Sequence, residues 1–214
     1  MRARPVTPAG LVDEIIARVG AATAAAAPGA WLRVAVDGPP AARPDALADA
    51  LVDPLRVAGR PVLRIRADDF LRPASLRLEF GRTNPDSFYD GWLDEAALRR
   101  EVLDPLAPGG SGRILPSLWD ATADRSSRAA YVPVPPGAAV LVSGVFLLGG
   151  GLPFEVTVHL ALSAAALRRR TPADRRWTLP AFDRYAEEVA PQTFADLVVR
   201  ADDPRHPAVV VPGG

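Results

Sequence analysis

Residues 31–66 constrain the architecture of this chain more than any other stretch. Trp31-Leu-Arg-Val-Ala-Val-Asp37 is a β-rich run that reads as a buried strand. The loop Gly38-Pro39-Pro40-Ala41-Ala42-Arg43-Pro44 follows it. A helix is expected from Asp45 to Ala58, because Pro44 suits its start and Leu47, Leu51 and Leu55 repeat at i, i+4 and i+8. Pro54 lies inside that pattern and should kink the helix or end it early. Val62-Leu-Arg-Ile-Arg66 is a second strand, which completes a β-α-β unit.

The remainder continues the alternation. Residues 9–25 place Leu11, Ile15, Val19 and Ala22 at helical spacing and stop at Pro28-Gly29. Residues 71–93 read as irregular, and Asp94 to Leu106 as a helix stopped by Pro108-Gly109-Gly110. Residues 112–135 read as a small β-hairpin insertion, with Arg113-Ile-Leu115 and Ala130-Tyr-Val132 as its short arms. Ala138 to Leu148 and Phe154 to Leu162 are strongly apolar and fit central parallel strands. Residues 163–170 and 180–189 read as helical, and 195–200 and 208–211 as short late strands. The pattern predicts one α/β domain over 1–214: a parallel sheet with helices on both faces.

Composition narrows the function by exclusion. Apolar residues make up 49% and charged residues 23%, a globular mixture. The formal net charge is zero, so no overall field attracts nucleic acid or anionic lipid, and neither is expected as a partner. No apolar run approaches the roughly 18 residues needed to span a bilayer. Asp13 and Glu14 interrupt the apolar part of the N-terminal segment, which reads as an amphipathic helix rather than a leader; a cytoplasmic location is expected. With no cysteine and only His159 and His206, both read as structural, a His/Cys metal cluster is excluded. All 25 basic residues are arginine. Any mechanism that needs a lysine is therefore closed to this chain.

That exclusion bears on the loop after Asp37. A strand-loop-helix with the pattern G-x-x-x-x-G-K-[ST] cradles phosphate. In register, Gly38 matches the first glycine, Arg43 stands at the second, Pro44 at the lysine and Asp45 at the Ser/Thr. Arg43 brings a Cβ to a position of close backbone approach, and Pro44 removes both an ammonium and an N–H donor. Asp45 puts a carboxylate where a hydroxyl would bind Mg²⁺. One unit charge at about 4 Å contributes on the order of 1 kcal/mol in water and about 4 near a protein surface, so reversing its sign costs orders of magnitude in affinity. Two readings stay open: Asp45 caps the helix and fills the anion site itself, or Arg43 replaces the lysine and Asp45 ligates Mg²⁺.

Several segments together resemble the uridine kinase family over nearly the whole chain. They are Val34-Ala-Val-Asp-Gly38, Arg66-Ala-Asp-Asp-Phe70, Ser87-Phe-Tyr-Asp90, Ser117-Leu-Trp-Asp120, Val142-Ser-Gly-Val-Phe146, Ala195-Asp-Leu-Val-Val199 and Asp203-Pro204. The resemblance implies a P-loop NTPase-like fold, here with a degenerate phosphate loop. It implies Asp68 as the carboxylate that accepts the proton of an attacking hydroxyl. It places Phe88, Asp90, Trp119 and Asp120 around a nucleoside-like acceptor. It assigns 163–180 to a lid in which Arg168, Arg169, Arg170, Arg175 and Arg176 grip phosphates, and makes a homo-oligomer a reasonable expectation. Ser143 departs from the acidic residue that many relatives carry before Gly-Val-Phe, which weakens a Mg²⁺ site further. ATP and Mg²⁺ are expected only if the altered loop still binds nucleotide. Three functions follow: a pseudo-kinase, an active kinase with a non-standard loop, or a binding or regulatory protein that uses the old cleft.

Overall fold

The computed structural model describes residues 2–211. Its strands are β1 Arg2–Pro5, β2 Leu32–Asp37, β3 Val62–Arg66, β4 Arg113–Ile114, β5 Trp119–Asp120, β6 Arg125–Ser126, β7 Val132–Pro133, β8 Ala139–Gly144, β9 Val156–Ala161, β10 Leu197–Arg200 and β11 Ala208–Val211. Its α-helices are α1 Pro8–Ala25, α2 Pro44–Ala50, α3 Val52–Val57, α4 Ala74–Arg77, α5 Pro85–Gly91, α6 Glu95–Leu98, α7 Ala164–Arg170 and α8 Leu179–Glu188. The central sheet has the order β1-β11-β10-β9-β2-β8-β3. Strands β10, β9, β2, β8 and β3 run parallel, and β11 and β1 add an antiparallel edge. The sequence pattern carried the α/β class and the parallel core; β1 lay outside it.

Alternation along the inner strands divides the core in two. On one face, Leu32, Val34 and Val36 of β2 pack with Leu11, Ile15 and Val19 of α1 and with Ala48, Leu51 and Leu55 of the following helices. On the other, Ala35, Ile65, Val140 and Val142 meet Phe88 of α5, Leu98 of α6, Leu167 of α7 and Phe182 and Tyr185 of α8. Helices therefore cover both faces, as two-sided burial of parallel strands requires. Thr7 caps α1 by accepting from Gly10 N at 3.0 Å, with Pro8 as its first residue.

Local differences from the pattern have local causes. The helix expected over 45–58 breaks at Leu51 into α2 and α3, because Pro54 has no N–H to offer Ala50. The stretch 71–93, read as irregular, contains α4 and α5; Asn84 accepts from Ser87 N at 3.0 Å and Pro85 follows it, a start signal present in the sequence. The helix expected over 94–106 is capped by Asp94 and widens to a π turn over Arg99–Leu103 before a 3₁₀ end at Asp104–Leu106. In 112–135, β4 pairs with β7 and β5 with β6, both antiparallel.

A half-buried ion pair joins the start of β2 to the residue before β9. Arg33 has a side chain only 9% exposed, pairs with Glu155 and donates to the Leu103 carbonyl at 3.1 Å. Replacing Glu155 with alanine leaves that guanidinium without its counter-ion. Because Glu155 itself reaches solvent, Glu155→Ala is expected to lose about 1–2 kcal/mol of stability, read as a lower urea midpoint at unchanged slope.

Candidate functional site

The carboxyl ends of β2, β3, β8 and β9 meet at one edge of the sheet, where ligands of open α/β sheets bind. Asp37, the last residue of β2, is fully buried there. Its Oδ2 accepts from His159 Nδ1 at 2.7 Å and from the Tyr185 hydroxyl at 3.0 Å, and its Oδ1 accepts from Leu147 N at 2.9 Å. Tyr185 also accepts from Leu148 N at 3.2 Å. Burial, and secondarily the Asp37 charge, push the Tyr185 phenol far above its ordinary range, so it stays a donor. His159 and Tyr185 thus hold the root of the loop in place.

The loop itself has few donors to offer. Pro39, Pro40 and Pro44 have no N–H. Gly38 N donates to Gly144 O, Ala42 N to Pro39 O and Arg43 N to Pro40 O, all at 2.8–3.0 Å. Six of the seven residues 38–44 are thereby removed from any anion nest. Gly38 is required by packing, since a Cβ there would lie 2.9 Å from Leu160 Cβ. Arg43 adopts φ 62°, ψ 54°, the left-handed conformation that a glycine takes without strain.

Asp45 does not cap its helix. The hydroxyl of Ser143, near the end of β8, donates to Asp45 Oδ1, and Arg64 Nη2 stands 3.7 Å from the same oxygen. The Arg64 guanidinium is held on every side. It donates to Asp49 Oδ1 at 2.9 Å, Leu141 O at 2.9 Å, Ile65 O at 3.1 Å and Ser143 Oγ at 2.9 Å. Asp45 and Asp49 are one helical turn apart, so both carboxylates face β3.

Asp68 lies in the 3₁₀ turn Ala67–Phe70 after β3. It shares a cavity of about 250 Å³ with Pro40, Arg43, Asp45, Ser143 and Gly144. The carboxylate is open to solvent on one side but crowded by protein on the others. That partial loss of water, and then the charge of Asp45, raise its pKa; Arg175, Arg66 and Arg77 pull it back. Asp69 is raised chiefly by burial, and its carbonyl accepts from Leu118 N at 2.9 Å, which docks the hairpin beside it.

The four residues expected around an acceptor separate. Phe88 is buried in an aromatic cluster with Trp92, Phe146, Trp177 and Phe182 at centroid distances of 5.1–5.9 Å, so it supports the site from within the core. Asp90 pairs with Arg184 at 2.7 Å and lines a larger cavity of about 610 Å³ with Arg72, Tyr89, Glu95, Phe146 and Leu148. Glu95 is raised mainly by burial and lowered by Arg72. Trp119 donates to Asp124 at 3.1 Å, and Asp120 closes its own turn by accepting from Thr122 N and Ala123 N at 3.0 Å.

In the segment read as a lid, Arg168, Arg169 and Arg170 occupy the last turn of α7, and Arg170 donates to Ala201 O at 2.6 Å. Arg175 and Arg176 lie in the 3₁₀ stretch Ala173–Thr178; Arg175 stacks over Trp177 at 5.5 Å and is the arginine of this group whose charge acts on Asp68. Reasoning from the sequence passed over Arg64, Asp49, Asp37 and Tyr185. The 45/49 spacing was the available signal for the first pair.

Two outcomes follow from this geometry. Arg43→Gly relieves a left-handed residue and is expected to raise stability by about 1 kcal/mol in chemical denaturation. Because the folded state raises the Asp68 pKa above its unfolded value, the ionised carboxylate opposes folding at neutral pH; that penalty fades as pH falls through the folded pKa to the unfolded one, near about 4. Asp68→Asn should therefore be more stable than the parent at pH 7, with the gap closing toward pH about 3.5 in thermal melts.

No family model and no curated protein sequence matches the chain. Solved structures do. A possible uridine kinase from Bacillus stearothermophilus is 22% identical with a TM-score of 0.65, covering 86% of this chain and 98% of that one. A candidate fructose transport system kinase from a Silicibacter species is 20% identical with a TM-score of 0.56, covering 84% and 88%. A D-glycerate 3-kinase from Cryptococcus neoformans is 15% identical with a TM-score of 0.51, covering 85% and 80%. With the strand order, these similarities show the fold: the chain shares the α/β architecture of these structures.

Proposed function

We propose that this chain is a uridine-kinase-like protein that has lost the nucleotide-donor half of its site and keeps an acceptor-side cleft for a nucleoside-like small molecule. The loop's donor inventory carries this reading. Three prolines and three internally bonded N–H groups occupy the stretch where phosphate would be cradled, and no lysine exists to replace the missing charge. Mg²⁺ takes oxygen ligands at about 2.0–2.1 Å in near-octahedral geometry. Here Asp45 and Ser143 bond to each other and face a guanidinium, so this donor set does not suit a Mg²⁺-triphosphate. On the acceptor side, the 610 Å³ cavity falls in the usual range for small-molecule sites and combines Phe146 and Leu148 with Tyr89, Asp90, Glu95 and Arg72.

One observation favours an active kinase of a small hydroxyl compound. Asp68 shares its cavity with Arg43 and Asp45 and keeps the company of Arg175, so a carboxylate stands beside the old loop with cations near it. A purely regulatory use of the cleft is the third reading, and it needs neither ATP nor turnover.

Calorimetric titration with ATP and Mg²⁺ separates them. The lost-donor reading expects no binding tighter than about 100 μM, roughly −5.5 kcal/mol, and tighter binding overturns it. The triple variant Arg43→Gly, Pro44→Lys, Asp45→Thr rebuilds the loop and should bind ATP at least tenfold more tightly than the parent. Uridine is the probe for the acceptor side; no heat with uridine in either protein removes the nucleoside part of the proposal.

A further inference from the structure

We infer that Arg64 is a built-in cation that holds the place of a divalent metal between α2 and the end of β8, closing this edge of the sheet to metal ions. The inference extends the lost-donor reading from nucleotide to metal, and it is tested without nucleotide so that either can fail alone.

The guanidinium has five N–H groups in a planar fork. Four of them make hydrogen bonds of 2.9–3.1 Å, to Asp49, Leu141 O, Ile65 O and Ser143. The remaining one lies on the nitrogen that faces Asp45 at 3.7 Å. Every partner is an oxygen, and they come from three elements: α2 supplies two carboxylates, β8 a carbonyl and a hydroxyl, and β3 a carbonyl. A hard metal ion would gather such a set. Here it is gathered by a side chain that is 17% exposed and anchored in β3.

Ser143 sets the polarity of the arrangement. Its hydroxyl accepts from Arg64 and donates to Asp45, so it relays the positive charge to the second carboxylate. An acidic residue at 143 would add a third negative charge, whereas serine leaves two carboxylates to one guanidinium. Among the described residues, no group of three or more His, Cys, Asp or Glu side chains is placed to hold a metal. Arg66, two residues along β3, lies 3.9 Å from Asp49 and brings a second positive charge to the same helix face.

The probe is Mn²⁺ alone, followed by the electron paramagnetic resonance signal of the free ion, with Mg²⁺ as competitor. The wild-type protein should show no Mn²⁺ site tighter than about 1 mM, and Asp45→Asn should leave its titration unchanged. The double variant Arg64→Met, Ser143→Asp should bind Mn²⁺ at least tenfold more tightly than the wild type, and its unfolding midpoint should rise with added metal, as linkage requires. A wild-type site of about 100 μM or tighter that is lost in Asp45→Asn overturns the inference. A folded double variant that binds no better than wild type overturns it as well. Should that variant fail to fold, the comparison of wild type with Asp45→Asn decides the matter.

Discussion

The buried carboxylate of Asp37 is the interaction on which the rest of the site rests. It sits at the end of the central strand and receives three hydrogen bonds, from β9 through His159, from α8 through Tyr185 and from the turn after β8 through Leu147 N. A charged group without exposure is tolerable only when its acceptor capacity is used in this way. The arrangement also restrains Phe146, whose φ of 58° is costly for a bulky residue and whose successor donates the Leu147 bond. Loop, turn and helix are thus fixed relative to one another before any ligand is considered. The mouth of the cleft is a property of the fold.

The frame therefore does not depend on a ligand in the loop. A phosphate-binding loop leaves backbone donors pointing at an empty centre until an anion arrives. In this chain six of the seven residues 38–44 offer no free donor: three are prolines, Ala42 N and Arg43 N bond to carbonyls three residues back, and Gly38 N bonds across to Gly144 O, so little of the loop is left to demand a ligand. Arg43 takes a left-handed geometry even though it is not glycine. Backbone shape there is imposed by the strand before and the helix after, and the side chain conforms at a cost.

How much could be read from the sequence depended on how local each cause was. The β-α-β unit, the break at Pro54 and the two apolar central strands follow from periodicity and proline chemistry, and they were legible. The helix α5 was signalled by Asn84 and Pro85 yet passed over, since too short a run of apolar residues follows them. For Asp45 the sequence leaves a helix cap and a Mg²⁺ ligand as alternatives, because first-turn acids usually act locally; its actual partners lie 19 and 98 residues away in the chain, beyond any spacing rule. Phe88, quoted as part of a pocket segment, is drawn inward by four aromatic neighbours scattered from Trp92 to Phe182. Its neighbour Tyr89 is the one that reaches the large cavity. A one-residue shift on a short helix decides between core and site, and sequence alone cannot fix that phase.

The electrostatic consequence reaches beyond the loop. A metal ion at this sheet edge would be exchangeable, and its presence would be coupled to that of phosphate. A guanidinium tethered to β3 cannot leave, so the carboxylates of α2 keep a cation beside them at any metal concentration. The helix–sheet junction then gains constancy and loses responsiveness, since a cation that never departs reports nothing about a ligand. Asp68, a few residues further along the chain, stays outside this compensation: its neighbours include an acid as well as three arginines, and its pKa is raised rather than lowered. The α2–β3 junction has its own cations, whereas the turn after β3 holds a carboxylate whose charged form burial disfavours.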